Sequence, residues 1–387
     1  MNKKRIYLDY ASTTPLKKEV IKAMSNYWQK KFGNPSSLHS FGQEALKAIS
    51  ISREKIKRIL QADTLNEIIF TSSATETNNL AIKGIAFYYY FFEKFIPHII
   101  TSSIEHPSVL EILADLEEIG VCQVSYLQPE KNSLIDPDKI TREIKENTVL
   151  ITLHYVNSEL GTIQKIKEIG SLLERINQNR KNKVYFHTDA AQAGFENLNI
   201  KKLKVDLMTI SAHKIYGPKG IALLYKKNNV PVLRQISGSL QEYGLRAGTE
   251  NVALIVGFAK ALEIANQNRK KINNRLKEIR NYFLEKIKKS NLKNKIFLNT
   301  LPKFSSPKIL NLFFKNISSQ ELLIYLDKHN IAVSVGPACQ SRASNFNYAV
   351  EQVYGPERSK NSLRISFGTE TTKEEIDRVF DFLTKIL

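Results

Sequence analysis

Two residues with chemical potential stand at the ends of apolar, strand-like runs. Lys214 belongs to the segment Ser-Ala-His-Lys-Ile-Tyr-Gly-Pro-Lys-Gly, and Asp189 belongs to the segment Phe-His-Thr-Asp-Ala-Ala-Gln. A lysine amine has an ordinary pKa of about 10.4 and is no nucleophile while it is protonated. A reactive lysine therefore needs cationic or polar neighbours and a rigid element beneath it. The end of a buried strand offers both.

This pairing of a lysine with an aspartate meets the needs of pyridoxal phosphate. Lys214 would form a Schiff base with the cofactor aldehyde, and Asp189 would keep the pyridine nitrogen protonated so that the ring accepts electrons. Residues 74–79, Ala-Thr-Glu-Thr-Asn-Asn, follow a strand-like run and open a helix, where main-chain N–H groups favour a phosphate. His106 stands at another strand end, directly before Pro107. The ordered set, and no single member of it, predicts a pyridoxal phosphate enzyme.

Composition bounds the class of protein. The 387 residues can form one large core and a smaller one, and 42% hydrophobic with 25% charged residues is typical of a globular protein. The net charge of +19 favours either an acidic partner such as a nucleic acid or a solvated, lysine-rich surface. The densest basic stretch, residues 268–289, is spread along a predicted helix, which favours the solvated surface. We therefore expect no nucleic-acid partner.

The cysteine count and the hydropathy pattern bound the location. Cys122 and Cys339 are too few and too far apart for a metal framework or a secreted disulfide scaffold, so we expect no metal. Residues 1–9 have a basic start without an apolar run after it, which is not the pattern of a signal peptide. The aromatic run at 87–92 is too short to span a bilayer. These patterns predict a cytoplasmic protein without a membrane partner.

Apolar runs alternate with amphipathic stretches through the first two thirds of the chain. Short buried strands separated by helices predict an α/β fold with a mostly parallel sheet and helices on both faces. The predicted strands are 67–71, 98–101, 123–127, 149–153, 184–187, 206–210 and 222–225.

The pattern of apolar and polar residues changes after residue 252. Apolar residues at steps of three and four over 272–287 predict one long amphipathic helix, and a capping box at 372–375 opens the last helix. The strand-like runs between them are 308–314, 331–335 and 362–367. We expect residues 15–258 to form a large domain, and residues 1–14 with 259–387 to form a small α+β domain.

Eight segments in a fixed order span nearly the whole chain. They are Tyr-Leu-Asp-Tyr-Ala-Ser-Thr-Thr (7–14), Phe-Gly-Asn-Pro-Ser-Ser (32–37), Ala-Thr-Glu-Thr-Asn-Asn (74–79), Glu-His-Pro (105–107), Val-Asn-Ser-Glu-Leu-Gly (156–161), His-Thr-Asp-Ala-Ala-Gln (187–192), Ser-Ala-His-Lys (211–214) and Leu-Arg-Ala-Gly-Thr-Glu-Asn (245–251). Together they resemble the cysteine desulfurases of the NifS/IscS type, in the class V aminotransferase superfamily. The resemblance implies the type I fold of pyridoxal phosphate enzymes, with a mixed, mostly parallel seven-stranded sheet. It also implies L-cysteine as substrate and L-alanine as product.

The resemblance implies a role for each matching residue. Lys214 would hold the cofactor covalently, Asp189 would bind the pyridine nitrogen and Gln192 would donate to the phenolic oxygen. His106 would stack on the ring and handle protons.

The remaining implied ligands hold the cofactor phosphate and the substrate. The phosphate would be bound by Ala74, Thr75, Ser211 and His213. Thr249 would reach the phosphate of a neighbouring subunit, so the site would need a homodimer. Asn157 would contact the cofactor and orient the substrate, and Arg364 would grip the substrate carboxylate with two N–H groups.

Cys339 decides the reaction that the resemblance implies. It lies in a segment with little apolar periodicity, as expected for a loop that carries a nucleophile. The Cys339 thiolate would attack the substrate sulfur and keep it as a persulfide, for transfer to an iron–sulfur scaffold or a tRNA-thiolation relay. Cys122, at the start of an apolar run, is predicted to be buried and inert.

The sequence departs from the family pattern at three places. Pro337 stands where a serine is usual before the cysteine, and proline restricts the backbone of that loop. Residues 237–242 replace a run of glycines. The chain ends at Leu387, without the further tail that often accompanies sulfur delivery to a scaffold.

Two other functions are weighed against the first. A class V aminotransferase or a lyase, for example one similar to selenocysteine lyase, would use the cofactor without Cys339. A basic, RNA-associated scaffold on a degenerate enzyme fold would need neither. The intact set of Lys214, Asp189, His106 and Gln192 argues against the scaffold.

Overall fold

The computed structural model of the protein describes residues 5–336 and 347–387. The helices are α1 (Lys18–Gln29), α2 (Ser40–Leu60), α3 (Ala74–Phe91), α4 (Pro107–Glu118), α5 (Pro137–Glu143), α6 (Ile166–Asn177), α7 (Ile200–Leu203), α8 (Val252–Gln267), α9 (Arg269–Lys288), α10 (Ser319–Lys328), α11 (Tyr348–Tyr354), α12 (Pro356–Lys360) and α13 (Lys373–Ile386). The strands are β1 (Ile6–Tyr7), β2 (Ile68–Thr71), β3 (His98–Ser102), β4 (Gln123–Leu127), β5 (Thr148–His154), β6 (Tyr185–Asp189), β7 (Leu207–Ser211), β8 (Ala222–Lys226), β9 (Ile296–Leu298), β10 (Ile309–Phe314), β11 (Ile331–Ala332) and β12 (Ser362–Ser366).

A seven-stranded sheet forms the centre of the molecule, in the order β2-β8-β7-β6-β5-β3-β4. The pairs from β7 to β4 are parallel, whereas β8 runs antiparallel to both of its neighbours. All seven strands coincide with predicted apolar runs to within a few residues. The prediction of a mixed, mostly parallel sheet is therefore confirmed.

Side-chain alternation along the strands divides the core between the two faces of this sheet. Ile68 and Phe70 belong to one apolar cluster, which includes residues of α6 and α8, while Ile69 between them belongs to a second cluster with residues of α3 and α4. Successive side chains of a strand point to opposite faces, so continuous apolar runs bury both faces. Helices cover both sides, as predicted.

A second, antiparallel sheet follows in the order β12-β10-β9. The periodic run at 272–287 lies within α9, which is separated from α8 at Asn268, and the predicted capping box of α13 joins Thr372 and Glu375 in both directions. The start of the chain lies against these strands. β1 and β11 form a separate, two-stranded parallel sheet, and Asp9 forms a β-bridge with Ser366 of β12. The strand predicted at 331–335 is shorter in the structure, where β11 contains only Ile331 and Ala332.

Two smaller expectations can be compared with the fold. Cys122 is buried, as predicted, and burial raises the pKa of its thiol to about 12, so the thiolate is disfavoured at neutral pH. Within the described ranges, every helix is too short or too polar to cross a bilayer.

Candidate active site

The carboxyl ends of the central parallel strands meet at one edge of the sheet, and polar residues gather there. β6 ends at Asp189, and β7 ends at Ser211, where a short 3₁₀ turn presents Lys214. A cavity of about 270 Å³ opens at this edge, where ligands bind in open α/β sheets. The cavity is lined by Ala11, Ser12, Ser73, Ala74, Thr75, His106, Ser108, His154, Val156, Asn157, Ser158, Asp189, Ala191, Gln192, His213, Lys214 and Arg364.

Most of the residues predicted from sequence line this cavity together. They are Ala74, Thr75, His106, Asn157, Asp189, Gln192, His213, Lys214 and Arg364. Ser211 is buried in β7, where it pairs with Ala222, and does not line the cavity. Thr249 is exposed in a separate depression with Arg246 and Glu250. Cys339 lies outside the described residues, as does Pro337.

The amine of Lys214 is held by the start of the chain. It donates to the carbonyl oxygens of Ala11 at 2.6 Å and Ser12 at 2.8 Å. The main chain on both sides is fixed too, because Thr14 N–H donates to the His213 carbonyl at 2.9 Å and the Tyr216 main-chain N–H donates to the Thr14 hydroxyl at 2.7 Å. The lysine thus stands on a rigid turn with its amine at the cavity wall.

Asp189 is oriented by two donors on its two oxygens. Oδ2 accepts from the Asn78 amide at 2.9 Å, and Oδ1 accepts from the Ala191 main-chain N–H at 2.9 Å. Asn78 is itself locked, since its Oδ1 accepts from the Thr209 hydroxyl at 2.7 Å. Asn78 is fully buried on the first turns of α3, and the sequence analysis gave it no role although it lies within the 74–79 segment.

His106 caps α4 and is held in one tautomer. Its Nδ1 accepts from the Ser108 main-chain N–H at 3.1 Å, so the proton of the neutral ring lies on Nε2. Burial lowers the pKa of His106, the Lys214 and Arg364 cations lower it further, and Asp189 and Glu105 oppose the shift. The neutral ring therefore presents an N–H at Nε2 at physiological pH.

His213 is neutral for a similar reason. Burial and the nearby cations, Lys214 first among them, lower its pKa to about 3. Its Nδ1 lies 3.1 Å from the Thr13 hydroxyl. A neutral imidazole can still give one N–H to an anion, but it adds no charge.

Arg364 is among the largest fully buried side chains of the described residues, and its guanidinium forms one wall of the cavity. Nη1 donates to the Ser158 carbonyl at 2.8 Å, and Nη2 donates to Asp9 at 2.9 Å and to the Ser12 hydroxyl at 2.8 Å. Its Nε is buried and has no hydrogen-bond partner among the described residues. An unsatisfied buried donor is costly, which suits a site that receives an acceptor from outside.

Asn157 faces the cavity, but its amide is already engaged. Oδ1 accepts from the main-chain N–H groups of Glu159 at 2.9 Å and Leu160 at 2.8 Å, and Nδ2 donates to the Ile104 carbonyl at 2.8 Å. These bonds close the turn after β5. Asn157 shapes the wall of the cavity through this turn.

Sequence reasoning missed two further groups beside the cavity. His154, at the end of β5, lies 2.7 Å from a carboxylate oxygen of Glu105, and both side chains are buried. Lys308, directly before β10, places its amine 3.1 Å from the Lys214 carbonyl. Glu105 stands in the quoted 105–107 segment, but Lys308 reads in sequence as an ordinary flanking residue of a strand.

The residues present fit pyridoxal phosphate. Asp189 offers a fixed carboxylate to a pyridine nitrogen, and Lys214 offers an amine to an aldehyde. The N-terminus of α3, at Ala74 and Thr75, offers main-chain N–H groups and the positive end of a helix dipole to a phosphate. The buried Nε of Arg364 adds an unused donor for an anion.

Comparison with known proteins agrees with this geometry. The sequence profile described as "Aminotransferase class-V" matches residues 6–379. The chain belongs to the class V aminotransferase family. Class V aminotransferases use pyridoxal phosphate, so the protein is an enzyme with that cofactor and has the type I fold expected above.

Similar members of this class V family carry informative names. A protein named "Cysteine desulfurase IscS" from Dictyoglomus turgidum is 40% identical over 387 residues, which cover 100% of this chain and 95% of the relative. A solved structure of a "NifS-like protein" superposes with a TM-score of 0.90 at 30% identity and covers 99% of both chains. A second one, "SspA in complex with cysteine", has a TM-score of 0.79 at 34% identity over 95% of this chain and 100% of the other.

Proposed function

We propose that the protein is a pyridoxal phosphate-dependent cysteine desulfurase. It removes sulfur from L-cysteine, releases L-alanine and holds the sulfur as a persulfide on Cys339. The observation that carries this proposal is that Lys214, Asp189 and Arg364 face one cavity. The names of the relatives at about 40% identity and of the cysteine-bound structure support the choice of substrate.

The cofactor is assigned to the residues that the cavity brings together. Lys214 would bond to its aldehyde, Asp189 would bind its ring nitrogen and Gln192 its phenolic oxygen. The phosphate ligands would be Ala74, Thr75 and His213. Ser211, the last residue of β7, would position the 3₁₀ turn that carries His213 and Lys214. When bound, pyridoxal phosphate supplies an electron sink that weakens the bonds at the substrate α-carbon.

The substrate is assigned to the wall of the cavity that carries Arg364. The guanidinium already holds Asp9 and Ser12, so it is pre-positioned to receive a carboxylate. Asn157 contributes as part of the turn next to it. His106 stands over the cavity as a neutral ring whose Nε2 proton can be given to a developing anion.

Cys339 is assigned the sulfur transfer on sequence grounds. A bond forms between the Cys339 sulfur and the substrate sulfur, and the bond between the substrate sulfur and its carbon breaks. The electron pair of the broken bond stays on that carbon, which takes up a proton and becomes the methyl group of alanine. The enzyme keeps S–SH, and neither an external oxidant nor a reductant is consumed in this step; a reductant is needed only to release the outer sulfur as sulfide.

We also propose an oligomeric state, a sulfur acceptor and a cellular location. Thr249 lies in a depression of its own, with Arg246 and Glu250, and we assign it to the cofactor phosphate of a second subunit in a homodimer. The persulfide would go to a protein acceptor in iron–sulfur cluster assembly or tRNA thiolation. A cytoplasmic location fits both acceptors.

The test is a comparison of two cysteine variants. Purified protein is incubated with L-cysteine and a reductant, and sulfide and alanine are measured together. We expect equal yields from the wild type, loss of sulfide and alanine with Cys339→Ala, and near-normal yields with Cys122→Ala, whose thiol is buried. Sulfide release by Cys339→Ala at the normal rate would refute the proposal and favour a class V lyase that does not use this cysteine.

A further inference from the structure

Lys308 is a buried lysine that forms no ion pair with an acidic side chain among residues 5–336 and 347–387. It is 2% exposed, and its carbonyl is held by the Phe367 main-chain N–H at 2.8 Å. Its amine lies 3.3 Å from Oε1 of Gln192, 3.1 Å from the Lys214 carbonyl and 5.9 Å from the centre of the Phe195 ring. In the part of the chain that the structure describes, Asp9 is the negatively charged side chain whose field opposes the lowering of its pKa.

Burying such a lysine lowers the stability of the folded protein. An ammonium group taken out of water without a counter-ion costs several kcal/mol, or else gives up its proton. Burial lowers the pKa of Lys308 to about 7, with further lowering by the cations Lys214 and Arg364 and an opposite effect of Asp9. An apolar side chain of equal length would avoid this cost. The presence of a lysine at this buried position therefore indicates a role for which its N–H groups are needed.

The role of these N–H groups can be inferred from the contacts of the oxygen and the NH₂ group of the Gln192 carboxamide. Lys308 donates to the oxygen end, so the NH₂ end must point the other way. There it donates to the Ala11 carbonyl at 2.7 Å, the same oxygen that accepts from the Lys214 amine at 2.6 Å. Both forms of the Lys308 amine, charged and neutral, carry enough hydrogens for its two acceptors. The orientation thus holds on either side of its pKa.

We propose that Lys308 is a positioning residue of the cofactor site, whose amine fixes the Gln192 carboxamide with its NH₂ group toward the cavity and anchors the Lys214 main chain. The inference rests on the proposed function in one respect, the assignment of Gln192 to the cofactor. When charged, the amine also adds to the positive potential of Lys214 and Arg364. His213 faces the same group of cations, and Asp9 is the opposing charge.

The first test replaces Lys308 by methionine, which keeps the length and removes both charge and donors. With Lys308→Met, we expect about tenfold weaker binding of pyridoxal phosphate, because one oriented hydrogen bond is lost. The pH midpoint of the visible absorption of the bound cofactor should rise by up to about one unit, because the variant removes a neighbour that is positive below about pH 7. The free energy of unfolding should change little, because the variant buries no charge but leaves the Gln192 oxygen and the Lys214 carbonyl without this donor. If Lys308 were purely structural, its replacement would clearly lower the free energy of unfolding and leave the midpoint in place.

The second test asks whether Lys308 acts through Gln192. Lys308→Gln keeps a donor without the charge, so it should restore most of the cofactor affinity while its absorption midpoint stays raised. In a Gln192→Ala background, Lys308→Met should weaken cofactor binding by less than about twofold, because the oriented group is already missing. Unchanged affinity and midpoint in Lys308→Met, or a full tenfold loss in the Gln192→Ala background, would overturn the proposal. None of these measurements uses cysteine turnover, so they fail or succeed independently of the desulfurase assay.

Discussion

The most severe loss of stability is expected at a buried ion pair between α2 and the segment that replaces the family's glycine run. The Arg53 and Glu242 side chains are 7% and 2% exposed and form two hydrogen bonds, of 2.9 and 2.8 Å. The Glu242 carboxylate also accepts from the Phe70 main-chain N–H at 2.8 Å. Glu242 has a φ of 48° and Tyr243 a φ of 58°, in the left-handed region that favours glycine. The ion pair therefore holds a strained turn in place.

The expected magnitude follows from these contacts. Arg53→Met leaves the carboxylate of Glu242 buried with one of its three hydrogen bonds, and breaking a buried pair in this way costs about 3 to 5 kcal/mol. In the double variant Arg53→Met/Glu242→Leu no charge is left behind. Its remaining costs are the unbonded Phe70 N–H, about 1 to 3 kcal/mol, and the lost Arg53 donor to the Ile68 carbonyl, which the two variants share. The double variant should thus be more stable than Arg53→Met alone.

Urea unfolding at one fixed protein concentration measures these differences in the free energy of unfolding. The matched control is Arg58→Met on the same helix, because Arg58 pairs with Glu54 at 2.7 Å but is 75% exposed. Exposed pairs contribute little to stability, so the control should unfold near the wild type. Equal destabilisation by Arg53→Met and Arg58→Met, or a double variant no more stable than Arg53→Met, would refute the reasoning.

Two further predictions concern buried polar groups of the central sheet. Asn78→Ala should weaken pyridoxal phosphate binding by about three- to tenfold, because Asp189 loses a 2.9 Å donor; a cofactor titration checks this, and unchanged affinity would contradict it. His187 is buried between the Thr152 and Thr209 hydroxyls, and burial lowers its pKa from 6.5 to about 4. The unfolded chain then binds the extra proton first, so this contribution to stability is complete above pH 6.5 and is lost as the pH falls toward 4. Over that window, the free energy of unfolding of the wild type should fall more steeply than that of His187→Gln, by up to roughly 1.4 kcal/mol per pH unit. Parallel curves at pH 7, 6 and 5 would rule this out.

The sequence by itself determined which segments form the strands of the large sheet and which residues are the main catalytic candidates. Continuous apolar runs predict strands buried on both faces, and the helices between them leave a parallel sheet as the natural arrangement. Because the carboxyl ends of parallel strands share one edge, Asp189 and Lys214 could be expected to meet before any coordinates were known. The polar segments that carry the family resemblance supplied most of the other cavity residues.

Only the tertiary structure decided which side chains support these candidates. Asn78 reaches Asp189, and Lys308 reaches Gln192, across more than a hundred residues of chain in each case. Arg364 meets Asp9 from the opposite end of the molecule. No local pattern marks Lys308 or assigns Asn78 and Asp9 these contacts, because the contacts depend on burial and on hydrogen-bond partners that exist only after the chain has folded. The sequence names a reactive group when a motif surrounds it, whereas the packing determines its orientation and its protonation.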